Sequence, residues 1–313
     1  MLTLARRILI VAATLVTAAA AGRAQSPSSD RLLIGPAELA GQLTDPNLVV
    51  LHVGPREDYD AGHIPGARFV ELRDVSTPRQ EGALALELPD DATLRQLLEQ
   101  LGIGDASTVV VAFGDEWVSP ATRVVFTLQA AGLGSRTRFL DGGTAAWTRA
   151  GHPLTREAPA AAKPGRLTTQ VQRALVVNHE WVQQNARTPG VRLIDARAPM
   201  FYEGPGMRDH AAGHIAGAAN IPFNSLTDDS LRVLPLEELR RRFAAAGVRP
   251  GDTVAAYCHI GQQATLVLFA ARLLGHEVRL YDGSMNDWEK RGLPLVNPTS
   301  NQRGGGSPPA GAR

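Results

Sequence analysis

The chain has 313 residues, of which 44% are hydrophobic and 20% are charged, and its formal net charge is +1. This length suggests about two domains at the usual ~100–200 residues each, and the composition is that of a globular chain. The nearly balanced charge gives no electrostatic reason to expect nucleic acid or an acidic membrane surface as a partner. Neither lysine, Lys163 or Lys290, follows a glycine-rich run, which excludes a phosphate-binding loop of the GKS/GKT type.

The first segment of the chain has the pattern of an export signal. Arg6 and Arg7 precede the apolar stretch ILIVAATLVTAAAA, and the small residues Ala21 and Ala24 offer cleavage sites. The apolar stretch is shorter than the ~20 residues that a membrane-spanning helix needs. Residues 1–24 are therefore predicted to be a signal peptide, with an uncleaved anchor as the alternative. We expect a periplasmic or secreted protein with no stable membrane insertion after cleavage.

The rest of the chain contains two copies of one pattern. The stretch LVVLHVGPREDYDAGHIPGARFV corresponds to VRLIDARAPMFYEGPGMRDHAAGHIAGAANIP, and later TVVVAFGDEW corresponds to TVAAYCHIGQQ. The shared order of these stretches favours a duplicated domain over a short-period solenoid. The predicted organisation is a first domain over 30–154, an Ala- and Pro-rich linker over 155–170, a second domain over 171–297 and a disordered tail over 298–313.

Short apolar runs alternate with helical patterns inside each copy. In the second copy, VRLID, TVAAY and EVRLY are short, branched and bounded by Gly, Asp or His, which is typical of buried strands. The segment PLEELRRRFAAAG has apolar residues at helical spacing, and its helix is predicted to start at Pro235 and to stop at Gly247. This alternation predicts an α/β fold with a parallel sheet and helices on both faces, in which ligands bind beyond the carboxyl ends of the strands.

The single cysteine, Cys258, lies at such a strand end. Since oxidising compartments favour paired cysteines, a lone thiol in an exported protein is a buried small hydrophobe, a partner for another chain, or a reactive group. The residues CHIGQQ lead directly from the strand into a helix, and such a turn directs backbone N–H groups inward to form an anion-binding concavity. Gly261 permits the tight backbone, and the helix dipole and His259 favour a thiolate. A thiol in such a setting typically has a pKa lowered from ~8.5 to roughly 3.5–7.5.

The duplicated domain, the GHI stretch in each copy, the loop cysteine and YDGSMNDW together resemble the tandem-domain rhodanese family of sulfurtransferases. The resemblance covers nearly the whole chain outside the signal and the tail. It implies two rhodanese-like α/β domains and an enzyme in which Cys258 takes a sulfane sulfur from thiosulfate or 3-mercaptopyruvate. The resulting persulfide passes its sulfur to cyanide or a thiol, with a protein as an alternative acceptor. No metal or organic cofactor is implied.

The resemblance also implies roles for individual residues. Arg197, in LIDAR, matches the family arginine that holds the anionic end of the donor, and Asp195 braces the site. An ordinary surface ion pair is the alternative for Arg197, and an exposed loop position is the alternative for His259. The anion cup is predicted to consist of the five loop residues His259, Ile260, Gly261, Gln262 and Gln263.

The loop differs from both known patterns of the family, because CHIGQQ fits neither the thiosulfate-using nor the mercaptopyruvate-using set. Thiosulfate carries more negative charge, so Arg197 and His259 favour it as the donor. Met285 stands where an aromatic residue is expected, which alters the predicted pocket wall.

The first copy lacks the residues that carry the chemistry. Its positions corresponding to Asp195 and Arg197 hold His52 and Gly54, and Gly114 lies near the position of the cysteine. The two acidic residues that follow would repel an anionic donor. We therefore predict a non-catalytic first domain that packs against the second and shapes its cleft.

The histidines of the two GHI stretches, His63 and His214, occur in both copies, including the one without the chemistry. This favours structural hydrogen bonding over a metal or acid–base role. Trp147 and Trp288 lie at equivalent points and are predicted to be core anchors. No cluster of Cys, His and carboxylates has a metal-binding spacing.

Two other functions use similar features. A cysteine-based phosphatase or arsenate reductase needs Cys-x5-Arg, and the chain has Ala264 in place of the arginine, which argues against phosphate or arsenate chemistry. A non-enzymatic sulfur-relay or protein-binding module stays open. A thiol that reacts rapidly with iodoacetamide below pH 7 would favour catalysis over this module.

Overall fold

The computed structural model describes residues 32–77, 83–114, 118–160, 162–204 and 213–296. The predicted signal peptide and tail lie outside these residues, as do Asp115 and Glu116, the acidic pair of the first copy. Within the described ranges, no helix has the length and apolar character needed to cross a membrane.

The first domain is a five-stranded parallel sheet with helices on both faces, as predicted. The strand order is β1-β5-β4-β2-β3. Its strands are β1 (Leu33–Ile34), β2 (Leu48–Val53), β3 (Arg68–Val70), β4 (Thr108–Phe113) and β5 (Thr137–Leu140). Its α-helices are α1 (Pro36–Gln42), α2 (Arg56–Ala61), α3 (Asp91–Gln100), α4 (Val118–Leu128) and α5 (Gly143–Arg149).

The second domain repeats this topology, with the strand order β6-β10-β9-β7-β8 and parallel pairing throughout. Its strands are β6 (Val176–Val177), β7 (Val191–Asp195), β8 (Ala219–Asn220), β9 (Thr253–Tyr257) and β10 (Val278–Tyr281). Its α-helices are α6 (His179–Asn185), α7 (Pro199–Tyr202), α8 (Leu236–Ala245), α9 (Ala264–Leu273) and α10 (Ser284–Lys290). The predicted strands VRLID, TVAAY and EVRLY are β7, β9 and β10, and the predicted helix is α8.

The strand registers align the two domains residue by residue. Thr253 and Thr108 begin β9 and β4, and each pairs with the first residue of the neighbouring strand. Counting from these threonines, Cys258 corresponds to Phe113, so Gly114 lies near the cysteine position, as predicted, but one residue beyond it. The reason is that β4 continues through Phe113, whereas β9 ends one residue before Cys258.

The same registers support the predicted replacements at the neighbouring strand. His52 pairs with the fifth residue of β4, as Asp195 pairs with the fifth residue of β9. His52 therefore occupies the position of Asp195, and Gly54 occupies that of Arg197, two residues further along.

One hydrophobic core runs through both domains. The helices α4 and α9 pack against each other, and their equivalent residues Thr122 and Thr265 meet with 3.0 Å between the hydroxyl oxygens. Inward-facing residues of β2, β4, β7 and β9 join both helices in a single buried cluster. The outer sheet faces have separate cores that contain Trp147 and Trp288, as predicted. Burial of the shared apolar surface holds the two domains together.

The histidines of the GHI stretches have equivalent structural contacts in the two domains. His63 stacks on the ring of Tyr59 at 3.8 Å between centroids, and His214 stacks on Tyr202 at 3.9 Å. The Nδ1 atom of each histidine lies within hydrogen-bond distance of the carbonyl of the tyrosine on which it stacks, at 2.8 and 2.9 Å. The structural interpretation of both histidines therefore fits their surroundings.

The predicted linker, residues 155–170, runs along the first domain. Its first residue, Thr155, exchanges backbone hydrogen bonds with His63 in an antiparallel bridge. Further on, the amide of Gly165 donates to the carbonyl of Glu99 at 2.8 Å. These bonds tie the segment to the surface of the first domain before the chain enters β6.

Candidate active site

The carboxyl end of β9 places Cys258 at the centre of the second domain. The residue has an exposed fraction of 0% and belongs to the shared core. Its backbone N–H donates to the hydroxyl of Ser284 at 3.2 Å, and its carbonyl accepts the N–H of Met285 at 3.1 Å. The start of α10 therefore fixes the backbone of the cysteine on both sides.

Ser284 is the residue that makes this attachment, and the sequence did not single it out. Its hydroxyl donates to the carbonyl of Tyr281 at 2.8 Å while accepting from Cys258, so it joins the end of β10 to the loop. The backbone of Ser284 has φ of +52°, a left-handed conformation that is unfavourable for a residue with a side chain. The hydrogen bonds of the hydroxyl offset this strain.

The loop after Cys258 presents unpaired backbone donors. The amides of residues 260–264 make no hydrogen bond within the described parts of the chain. The next amide, that of Thr265, donates to the carbonyl of Gln262 at 3.1 Å. Unpaired amides at the start of a ten-residue helix, together with its positive dipole end, form a site that favours negative charge.

Gly261 sets the path of this loop. Its φ is +78°, and an added Cβ would lie 2.6 Å from the backbone oxygen of Asp282 and 2.8 Å from its carboxylate Oδ1. A side chain at this position would therefore meet both backbone strain and a steric overlap. Only glycine fits between the loop and the end of β10.

A buried arginine from the first domain supports the loop from behind. The Arg123 guanidinium has an exposed fraction of 0%, and its Nη1 donates to the carboxylate of Asp282 at 2.5 Å and to the carbonyl of Gly261 at 3.2 Å. Its Nη2 donates to the carbonyl of Leu86. The second carboxylate oxygen of Asp282 accepts the amide of Leu88 at 2.7 Å. Residues of both domains thus hold the loop in one network.

Sequence reasoning missed both Arg123 and Asp282. The sequence feature that could have indicated Arg123 is that it is the single charged residue in the helix VSPATRVVFTL, whose side chains are all buried. A charge in such a helix needs a buried partner, because an unpaired ion in an apolar interior is strongly unfavourable.

Asp195 and Arg197 form a second buried ion pair beside the loop. Both have an exposed fraction of 0%, and Arg197 Nη2 lies 2.6 Å from Asp195 Oδ2. The same Nη2 donates to the carbonyl of Gly213 at 2.7 Å, whereas Nη1 has no partner within the described parts of the chain. Burial lowers the pKa of Arg197, but the hydrogen bonds and charge of Asp195 outweigh it and raise the pKa overall.

Asp195 holds the guanidinium of Arg197, and its predicted role of bracing the active site stays a prediction. The amide of Ala196 donates to the carbonyl of Tyr257 at 2.9 Å, which places the Arg197 segment next to the strand that delivers Cys258. The donor contact assigned to Arg197 stays a prediction. The guanidinium is buried and its charge is already balanced by a carboxylate, so Nη1 is the group left to meet a ligand.

The remaining loop residues are half-buried around the cysteine. The ring of His259 meets Phe201 edge-on at 4.7 Å between centroids, and the carbonyl of His259 accepts the N–H of Asn286 at 3.0 Å. The side-chain amide Nε2 of Gln262 donates to the hydroxyl of Ser119 in the first domain at 3.3 Å, and Gln263 precedes the first residue of α9. The described residues contain no group of three or more His, Cys, Asp or Glu that could hold a metal ion.

Comparison with known proteins places this architecture in a family. The family model described as Rhodanese-like domain matches residues 35–150 and again residues 178–291. The chain belongs to this family. The two matched regions coincide with the two parallel sheets and their helices, so the tandem rhodanese resemblance is confirmed.

Relatives with assigned names share most of the chain. A probable 3-mercaptopyruvate sulfurtransferase of Pseudomonas aeruginosa is 36% identical over 274 residues, covering 83% of this chain and 95% of the relative. The thiosulfate sulfurtransferase of Rattus norvegicus is 33% identical over 260 residues, covering 80% of this chain and 84% of the relative. The chain is a sulfurtransferase.

Solved structures share its fold. The crystal structure of YnjE superposes with a TM-score of 0.77 at 22% identity, covering 87% of this chain and 69% of YnjE. A variant of EanB in complex with ergothioneine also gives a TM-score of 0.77 at 22% identity, covering 87% of this chain and 71% of EanB. At this level of identity the likeness extends to the fold.

Proposed function

We propose that the second domain transfers sulfur through a persulfide on Cys258. The Cys258 thiolate attacks the sulfane sulfur of the donor; with thiosulfate, the S–S bond breaks and sulfite leaves with the electron pair. A cyanide ion or thiolate then attacks the terminal sulfur of the persulfide and leaves as thiocyanate or a new persulfide, which restores the Cys258 thiolate. With 3-mercaptopyruvate, the C–S bond breaks instead, and the carbon that keeps the electron pair takes a proton to give pyruvate.

The observation that carries this proposal is the row of unpaired amides over residues 260–264, directly after the cysteine. Such amides stabilise the negative charge that develops on a terminal sulfur or on the departing anion. A structural cysteine has no need of them, because a buried thiol of ordinary polarity packs as a small hydrophobe.

Access to the sulfur requires movement in the loop. Cys258 has no exposed surface, whereas His259, Ile260, Gln262 and Gln263 are half-buried above it. We propose that displacement of these side chains admits the donor, while the backbone stays fixed by Ser284 and Arg123. The chain then keeps its anion-binding amides in place through both steps.

The proposed donor is thiosulfate, with 3-mercaptopyruvate as the alternative. Both kinds of sulfurtransferase occur among the relatives. Thiosulfate carries the greater negative charge, which suits the loop amides, His259 and the free Nη1 of Arg197. The acceptor is proposed to be cyanide or a thiol, including the thiol of a protein.

We propose further that the protein acts outside the cytoplasm after removal of residues 1–24, because the two arginines and the short apolar stretch have the order of an export signal. Amino-terminal sequencing of the protein recovered from the producing cell checks this directly. A start near residue 22 or 25 is expected, and an intact start at Met1 would contradict it.

Steady-state kinetics of thiocyanate formation from each donor test the catalytic assignment. Thiosulfate is expected to give the higher kcat/KM, and Cys258→Ser is expected to lower it by at least about a thousandfold, as removal of a covalent nucleophile does. Arg197→Lys keeps the charge but loses the planar fork, and is expected to raise KM more than it lowers kcat. Undiminished turnover by Cys258→Ser would overturn the proposal.

A further inference from the structure

The first domain contains a cavity at the carboxyl end of its sheet, on the face between α2 and α5. Its volume is about 350 Å³, and its walls include His52, Gly62, Gly114 and Thr144, with the exposed residue Asp58 at its edge. Cavities at this end of a parallel sheet are where such folds bind ligands. The sulfur-transfer chemistry of the second domain does not use it.

The cavity corresponds to space that Arg197 fills in the second domain. There, the guanidinium lies between the carboxylate of Asp195 and the carbonyl of Gly213. Gly62 precedes the GHI histidine of the first domain as Gly213 does in the second, and Gly54 occupies the position of Arg197. The first domain therefore lacks the guanidinium, has His52 in place of the aspartate that binds it, and keeps the glycine whose counterpart accepts its second hydrogen bond.

His52, which replaces the aspartate of that site, is directed into the cavity. Its exposed fraction is 1%, and neither ring nitrogen has a hydrogen-bond partner within the described parts of the chain. A Cβ added at Gly54 or Gly114 would lie 3.4 or 3.5 Å from Nε2, so that nitrogen faces the space left by the two missing side chains. Burial, and secondarily the charge of His63, lowers the pKa of His52 to about 4. The imidazole is neutral at pH 7 and offers one lone pair.

Asp58 supplies a negative charge to the same space. Its Oδ2 lies 3.5 Å from a Cβ added at Gly114, on the side where His52 Nε2 also lies. The carboxylate makes no hydrogen bond or ion pair in the described parts of the chain. The cavity thus combines a carboxylate and a neutral imidazole, both of which accept hydrogen bonds from a cation, and Gly62, the counterpart of Gly213, lines it as well.

We propose that this cavity binds a small guanidinium compound. The planar cation donates to His52 and to the carbonyl of Gly62, as Arg197 donates to Asp195 and Gly213, and Asp58 balances its charge. An anionic sulfur donor is excluded by that carboxylate, so the two domains bind ligands of opposite charge at equivalent ends of their sheets. This site does not depend on the persulfide mechanism.

Titration of the ¹⁵N-labelled protein with methylguanidinium chloride at pH 7, followed by long-range ¹H–¹⁵N correlation of the histidine rings, tests the proposal. The His52 ring resonances, assigned by their absence in His52→Gln, are expected to shift saturably, with a dissociation constant in the millimolar range for so small an ion. Urea, the neutral planar analogue, is expected to give no saturable shift at the same concentrations.

Two variants separate the site from a general effect of the salt. Asp58→Asn removes the charge from an exposed position and is expected to weaken binding about fivefold. Gly114→Leu fills the cavity and is expected to abolish the shift; Gly114 does not have a positive φ, so the change adds no left-handed strain. Absence of a saturable shift at His52, an equal response to urea, or unchanged binding by Asp58→Asn would overturn the proposal.

Discussion

At the position where the second domain has Cys258, the first domain has Phe113, whose ring stacks on Phe139 at 5.2 Å between centroids. Where the second domain has Ser284, the first has Gly143, and the two backbones have similar φ values of +52° and +56°. A Cβ at Gly143 would lie 2.6 Å from the backbone oxygen of Phe113. The same strand end and turn therefore hold Cys258, whose backbone binds the Ser284 hydroxyl, in the second domain. In the first domain they hold the buried aromatic residue Phe113.

A second difference runs in the opposite direction. The first domain has Arg123 in α4 where the second has Leu266 in α9, and Arg123 serves the loop of the second domain. The first domain thus contributes a charged residue that supports the cysteine loop of the second domain, while the second domain contributes an apolar residue to the shared core. The first domain has no cysteine, yet one of its side chains supports the loop that follows Cys258.

The largest predicted effect on stability comes from removing this contribution. Arg123→Leu, which copies the residue of the second domain, leaves the Asp282 carboxylate buried without its ion partner. We expect the free energy of unfolding to fall by about 3–5 kcal/mol, measured by urea denaturation, with sulfur transfer reduced in the folded fraction.

The matched control is Arg241→Leu, because Arg241 pairs with Glu238 while 71% of its side chain is exposed. Its effect is expected to stay within about 0.5 kcal/mol. Equal effects of the two substitutions would contradict the account of Arg123 as a buried support of the loop.

The next effect concerns the histidine that replaces Asp195 in the first domain. His52 takes up a proton at pH 6.5 when unfolded but only near pH 4 when folded. Because the unfolded chain binds the proton first, this residue contributes stability that is fully present above pH 6.5 and is lost as the pH falls towards 4. The loss is expected to reach about 3 kcal/mol.

Urea denaturation of the wild type and His52→Leu between pH 7 and pH 4 measures this contribution. The difference between the two pH profiles isolates His52, since the two proteins are otherwise identical in sequence. Parallel profiles would show that folding does not lower the pKa of His52.

A smaller effect is expected at the active-site loop itself. Gly261→Ala combines a φ of +78° with an overlap against Asp282, and should lower the free energy of unfolding by at least about 2 kcal/mol. Gly275→Ala is the control, because Gly275 has φ of +86° but no atom within 4 Å of an added Cβ. It should cost only about 1 kcal/mol. Equal losses in thermal denaturation would show that the contact with Asp282 is unimportant.

The smallest effect on stability is expected when Ser284 is replaced by glycine, the residue at the equivalent position of the first domain. Ser284→Gly removes the hydrogen bond to the Cys258 amide but relieves the left-handed strain, so stability should change by less than about 1 kcal/mol. The rate of persulfide formation is expected to fall about fivefold, as the loss of one hydrogen bond allows. Stopped-flow measurement with thiosulfate checks this, and an unchanged rate would show that Ser284 does not position the cysteine.

Sequence patterns were sufficient for much of this comparison. The duplication, the parallel sheets, Cys258 at a strand end, and the replacement of Asp195 and Arg197 by His52 and Gly54 all follow from local apolar runs and their order. Gly114 lies near the cysteine position, as predicted, but Phe113 is the residue that corresponds to Cys258, because the apolar pattern does not show that β4 continues one residue further than β9.

Contacts between the domains could not be predicted in this way. Arg123 and Asp282 are 159 positions apart, and no local pattern relates them. The pattern of apolar residues also could not predict the cavity beside His52, because that cavity exists where Gly54 and Gly114 have no side chains. Such features depend on how the two domains pack, which follows from the complete fold.

The most direct test of the central claim is the intact mass of the reduced protein after brief exposure to thiosulfate and, separately, to 3-mercaptopyruvate, with Cys258→Ser alongside. The account predicts that the wild type gains one sulfur atom, that cyanide removes it, and that the variant gains none. A wild-type protein with a confirmed reduced thiol that gains no sulfur from either donor, or a Cys258→Ser variant that gains as much as the wild type, would contradict it.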